Sequence, residues 1–314
     1  MRALLLAAAA LFSSPLAAQA PPPPKLLVTI SVDQLSSDLF KEYLPQFAGG
    51  LSSIASGALF LNGSSNEVRS QSLGDLLKAR WPNSRNVFIS GDAAPDPIAG
   101  EALDQHWFWA GSRFEAQISK ARVPEVVAKV NAAVAAGLAK ERPSLDAPPF
   151  CQPTPGKKEF ARAAGDTAAL AASPELDGDT LALAAGLVDE MRLGRGADPD
   201  LLTIDLAATK NVARSYGIRS EEMCLQVVEL DREIGDFLSL LDARGIDYAV
   251  AFNGTAKAQV PIAFWRPGFK GASVGTPIET IDMVPTLATL IGLPAPVGLP
   301  GRCLEGTPAF CPQR

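Results

Sequence analysis

Histidine is almost absent from this chain: its 314 residues contain one, His106. That excludes a centre built from several imidazoles, because a zinc ion in a hydrolytic site takes about three protein ligands. Net positive charge is lacking as well. The balance of 28 Lys and Arg against 34 Asp and Glu gives −6, which argues against a nucleic-acid surface, where basic residues cluster. No apolar run approaches the roughly 18 residues that a membrane span needs. Cysteine is scarce too. The four present, Cys151, Cys224, Cys303 and Cys311, allow three pairings if all are bridged.

What is present begins with an address. Arg2, the apolar stretch Leu4 to Phe12 and the small-x-small sequence Ala18-Gln19-Ala20 have the order of an export signal. Residues 1–20 are therefore expected to be removed, leaving 21–314 as a single domain in the periplasm or outside the cell. In that oxidising setting Cys303 and Cys311 are expected to pair, being close in a Pro/Gly-rich tail. For Cys224 two readings weigh equally, a buried thiol and a bridge to Cys151. With 47% apolar residues, one core is readily filled.

Short apolar segments alternate with amphipathic ones. Lys25–Val32, Asn86–Ser90, Leu201–Leu206, Tyr248–Phe252 and Val260–Trp265 read as buried strands, and Leu59–Leu61 as a short one. Helices are expected over Ser37–Ser56, Ser72–Arg80, Pro124–Lys140, Leu176–Leu193, Glu221–Ala243 and Thr280–Ile291. The longest has Met223, Val227, Leu230, Ile234, Leu238 and Leu241 at three- and four-residue spacing. This pattern predicts an α/β fold, a mostly parallel central sheet with helices on both faces. Residues 91–165, rich in proline, read as an irregular insertion leaving that sheet. Trp107, Phe108 and Trp109 within it are expected to be core or lid contacts, and His106 a packed or surface residue.

Ligand sites of parallel sheets gather at the carboxyl ends of the strands. The residues found there are Asp33, in Ser-Val-Asp-Gln, and the run Ala207-Ala208-Thr209-Lys210-Asn211-Val212-Ala213-Arg214-Ser215-Tyr216-Gly217. With Ser173-Pro174-Glu175-Leu176-Asp177-Gly178, Leu230-Asp231-Arg232, Phe264-Trp265-Arg266-Pro267-Gly268, Ile281-Asp282-Met283-Val284-Pro285-Thr286-Leu287 and Gly301-Arg302-Cys303-Leu304, the chain resembles the phosphate-irrepressible bacterial alkaline phosphatases, of the nucleotide pyrophosphatase/phosphodiesterase branch of the alkaline phosphatase superfamily. The resemblance implies a two-zinc hydrolase with a threonine nucleophile. It also implies ligands that this sequence lacks. Asp33 matches the first metal aspartate, but the family's next Asp and His fall on Lys210 and Arg214, and charged cations offer no lone pair to a metal. The Thr-Cys-Pro-Gly-His nucleophile segment is missing between Gly63 and the Leu73 helix. The Asp-His-Gly pair and a later histidine are missing between Phe252 and Val260. Where the family grips phosphate with Lys and Arg, this chain has Asp92-Ala93-Ala94-Pro95.

The sequence therefore reads as a pseudoenzyme: a phosphatase-like fold without cofactors, Asp33 a vestigial metal residue, with a binding or regulatory role toward an unidentified periplasmic partner. Two alternatives stand beside it. One is a residual phosphomonoester or phosphodiester hydrolase, using Asp33, Asp205, Asp104 or Glu101 on a magnesium or calcium ion, with Ser64, Ser65 or Ser70 as a substitute nucleophile. The other is an anion-binding module built on Lys210 and Arg214. Asp33 either bonds the start of the helix that follows it or takes Lys210 or Arg214 as partner in place of an ion.

Overall fold

The computed structural model describes residues 22–65, 71–119, 122–271, 274–293 and 299–304. The first half of the chain supplies β1 (Leu26–Asp33), α1 (Ser37–Tyr43), α2 (Gly50–Ala55), β2 (Ala58–Ser64), α3 (Leu73–Arg80) and β3 (Asn86–Ser90). After these come β4 (Gln105–Trp109), β5 (Phe114–Ser119), α4 (Glu125–Leu138) and α5 (Thr167–Ala171). The second half adds α6 (Pro174–Glu190), β6 (Asp200–Leu206), α7 (Ala208–Tyr216), α8 (Glu221–Ala243), β7 (Tyr248–Thr255), β8 (Val260–Trp265), β9 (Ile278–Glu279) and α9 (Met283–Leu290). The strands form one sheet in the order β5-β4-β3-β6-β1-β7-β8-β2-β9. Its centre, β4-β3-β6-β1-β7, is wholly parallel; β5 joins β4, β8 joins β7 and β2 joins β8 antiparallel, and β9 joins β2 parallel.

Strand side chains alternate between faces, and β1 shows what each face does. Leu26, Val28, Ile30 and Val32 enter one core with residues of α6 and α8, and each such full burial contributes roughly 1.5–3 kcal/mol. Leu27 enters a second core on the opposite face, with Leu73 and Leu77 of α3 and Met283, Val284 and Leu287 of α9. On that opposite face the sequence turns polar toward the strand ends. Thr29 donates to Thr203 at 3.1 Å, Ser31 to Asp205 at 3.0 Å, and Asp33 ends the strand.

The helix expected over 37–56 is two helices. Pro45 and the Gly49-Gly50 pair interrupt it, and α2 lies close against α8. A Cβ on Gly50 would stand 2.4 Å from Ile234 Cγ2 and 2.6 Å from the Gly235 nitrogen. Asp231 of α8 fixes this contact, its carboxylate accepting from the amides of Ala48 (2.8 Å), Gly49 (2.7 Å), Leu51 (2.7 Å) and Ser52 (3.2 Å).

Within 91–165, β4 and β5 correct the expectation of a segment that leaves the sheet: they extend it from β3. Trp107 and Trp109 are buried there, so the aromatic run belongs to the core. Residues 139–166 contain one 3-10 turn, Pro149–Cys151. Cys151 is bonded to Cys224 of α8, with the Cα atoms 5.5 Å apart, which decides between the two readings of Cys224. Cys311 and the expected signal 1–20 lie outside the described residues.

Candidate functional site

A cavity of about 390 Å³ opens at the carboxyl ends of β1, β6 and β7 and is roofed by the loop after β3 and the start of α9. Each wall has a local cause. Gln34, directly after Asp33, adopts φ +63°, a left-handed turn that ends β1 with Asp33 at the cavity edge. β6 runs straight into α7, which has no side-chain cap of its own. Its first turn is held instead by Asp177 of α6, which accepts from the Ala208 amide at 3.0 Å and from Gln226 Nε2 of α8 at 3.0 Å. That anchor sets where Lys210 enters.

Lys210 Nζ lies 2.5 Å from Asp33 Oδ2 and 2.8 Å from Asp92 Oδ2. Asp33 Oδ1 accepts from Thr255 Oγ1 at 2.7 Å, and Asp92 Oδ1 from the Ala94 amide at 2.8 Å. The ammonium thus bridges two carboxylates from distant parts of the chain. Burial alone would lower the lysine pKa, but the hydrogen bonds to Asp33 and Asp92 outweigh it and hold the group above its ordinary value. Asp92 answers in kind: burial opposes its charge, and the bonds from Lys210 and the Ala94 amide bring its pKa below the ordinary carboxylate value.

Asp205 lies deeper, with Oδ1 accepting from Ser31. Burial first, then the nearby Asp33 carboxylate, raise its pKa well above the carboxylate range. Asp96 is raised by burial, against the amides of Ala99 and Ile98 that bond it. Asp177, buried behind the cavity, is pushed up to about 7, chiefly by burial.

The residues singled out by sequence are distributed unequally. Asp33, Asp205, Lys210 and Ser65 line the cavity. Arg214, the other cation of the expected pair, does not. It is exposed and bonds Asn211 Oδ1 at 2.9 Å, because one further helical turn carries it about 6 Å along the α7 axis toward solvent. Asp33 does not bond the start of α1 either, since Ser36 accepts from Leu39 there. Asp104 pairs with Lys78 at 3.0 Å and Glu101 is exposed, both away from the cavity. Ser64 is exposed at the end of β2, and Ser70 lies outside the described residues. His106 is buried, stacked on Phe88 with ring centroids 4.3 Å apart and Nε2 3.3 Å from Ser90 Oγ. Burial lowers its pKa to about 4. Asp92, noted from the resemblance only as standing where the family grips phosphate, and Asp96 and Asn253, not picked out, also line the site. Their shared position is set by the fold, and the places of Asp92 and Asn253 just after expected buried strands were the only signal.

The layered fold and the strand-end cavity define an alkaline-phosphatase-like α/β protein. A profile of the type I phosphodiesterase / nucleotide pyrophosphatase family matches residues 64–254, and the chain belongs to that family, within the alkaline phosphatase superfamily. Alkaline phosphatase PhoK of Sphingomonas sp is 32% identical over 300 residues, covering 72% of this chain and 54% of that protein. Alkaline phosphatase PhoD of Zymomonas mobilis subsp. mobilis is 28% identical over 299 residues, covering 72% and 52%. The chain spans about half the length of these curated relatives. Among solved structures, alkaline phosphatase PafA matches with a TM-score of 0.76 at 14% identity, over 93% of this chain and 100% of that one. An alkaline phosphatase superfamily protein from Vibrio parahaemolyticus matches at 0.52 and 15%, over 90% and 70%. At such identities the likeness is one of fold.

The zinc pair implied by the resemblance does not fit the donors at this cavity. Zinc sites draw on imidazole, thiolate and carboxylate. Here the described lining offers carboxylates only, two of which are already bridged by Lys210, and His106 is turned into its stack on Phe88.

Proposed function

We propose that this chain is a catalytically silent member of its family, exported as a single domain, whose strand-end cavity has been turned from phosphoester chemistry to binding. The observation that carries the reading is the Lys210 ammonium between Asp33 and Asp92. It neutralises by a covalently attached cation the carboxylate that the resemblance assigns to metal, and such a cation cannot activate a nucleophile as a Lewis acid does. Lys210 is also committed to two carboxylates while Arg214 stands outside, which weighs against the anion-binding alternative. No helix among the described residues is long and apolar enough to cross a membrane.

The test is turnover of 4-nitrophenyl phosphate and bis(4-nitrophenyl) phosphate by the purified chain with added zinc, magnesium or calcium. No release of nitrophenol above the protein-free blank is expected. Release that a chelator abolishes would overturn the reading and favour the hydrolase its relatives' names suggest.

A further inference from the structure

The cavity has a chemical preference that neither its family nor its single lysine announces. Four acidic side chains, Asp33, Asp92, Asp96 and Asp205, and one ammonium line it. Most of its donors are engaged, Lys210 with Asp33 and Asp92, Thr255 with Asp33, and Ser31 with Asp205, while Ser65 is exposed. Unmet acceptors remain. Asn253 is 7% exposed, and its Nδ2 is turned to the Gly254 carbonyl at 3.3 Å, so Oδ1 is left toward the cavity with no described donor. Asp205 uses Oδ1 for Ser31, and no described group donates to its Oδ2; burial and the Asp33 carboxylate favour its protonated form, so an arriving cation takes the place of that proton. Both residues sit on the same floor, since Asn253 and Asp205 are each paired in register with Ser31. An amide oxygen that opens on a cavity is free to accept from an N–H of a ligand there. Ile98, Ile281, Met283 and Val284 give the cavity an apolar wall.

We propose that this cavity binds a small organic cation, an ammonium or guanidinium on a short apolar body, its N–H groups donating to Asp205 Oδ2 and Asn253 Oδ1 and its body lying against the Ile281–Val284 wall. The inference rests on the preceding reading of the cavity as a binding site and names what it takes. An anion would meet carboxylates and a lysine already committed. A bare calcium ion prefers six to eight oxygens and would leave the apolar wall unused.

Calorimetry without metal or phosphoester tests this. The probes are n-butylammonium and n-butylguanidinium, compared with n-butyrate, 1-butanol, inorganic phosphate and calcium chloride. Either cation is expected to bind once per chain, with Asp205→Asn and Asn253→Leu each weakening it at least about tenfold. Ala94→Trp, an exposed substitution at the rim, keeps the test open should a floor variant fail to fold, and is also expected to weaken binding. Four results would each overturn the proposal: no heat from either cation up to about 10 mM; cation heats unchanged in all three variants; calcium heats with both cations silent; or phosphate or butyrate heats that Lys210→Ala abolishes. Because no turnover is read, failure here leaves the catalytically silent reading intact, and turnover in the metal assay leaves this result intact.

Discussion

Two carboxylates on this fold, Asp231 and Asp33, are satisfied in opposite ways. Asp231 is 5% exposed and receives four backbone amides from one turn of chain at Ala48–Ser52. Asp33, at the strand-end cavity, receives a hydroxyl and the end of a long flexible side chain, Lys210. Backbone donors are fixed once the fold is made, so the Asp231 arrangement belongs to architecture. A lysine head group is held only by its partners, so the Asp33 arrangement can be dismantled without unfolding anything. Both were visible in the sequence as motif positions, and only the donors tell them apart.

The comparison breaks if the two carboxylates respond alike to loss of their partners. Asp231→Ala leaves four amides without an acceptor and should lower unfolding free energy by about 3 kcal/mol or more, read by urea denaturation. A loss below about 1 kcal/mol would place Asp231 with Asp33. Lys210→Met removes the bridge and leaves Asp33 facing Asp92. At this partly exposed site the expected loss is roughly 1–2 kcal/mol, and it has a pH signature. Asp92 has a depressed folded pKa, so its contribution is present above the ordinary carboxylate pKa and disappears as pH falls through the folded value. In Lys210→Met that acid-sensitive portion should be missing.

His106 sharpens the contrast as a buried group with neither a backbone donor nor a charged partner, only the Ser90 hydroxyl at 3.3 Å. An imidazole held near 4 makes the unfolded chain take the proton first. Its contribution to stability is therefore complete above about pH 6.5 and is lost as pH falls toward 4. As the chain has one histidine, its Cε1 proton resonance should titrate with a midpoint near 4, and a midpoint near 6.5 would show a solvated ring. Arg214→Ala should change stability by less than about 0.5 kcal/mol. A larger loss would mean that Arg214 is engaged at the cavity after all.

Much of the fold was legible because its central strands are continuous apolar runs and α8 has an uninterrupted apolar stripe. β4 was not, since Gln-His-Trp-Phe-Trp lies between polar loops and has neither β-branched residues nor clean alternation. α7 was read as a motif and not as a helix, because few of its residues are apolar and its cap, Asp177, comes from another helix. At the site, Asp33 and Lys210 occupy positions that strand-end logic and the resemblance both point to. Asp92, Asp96 and Asn253 meet them only through the sheet register and the loop after β3, which sequence spacing does not encode. The Cys151–Cys224 bridge was one of two open readings for the same reason: chain separation says nothing of the 5.5 Å between their Cα atoms.

That bridge closes a ring of chain that contributes a central strand to the sheet, since β6, lying between β3 and β1, falls inside the span from Cys151 to Cys224. Residues 152–158 of the same span are exposed, the kind of loop that a protease finds first. A single cut there yields two fragments that stay joined covalently. They run as one molecule on a gel until a reductant is added.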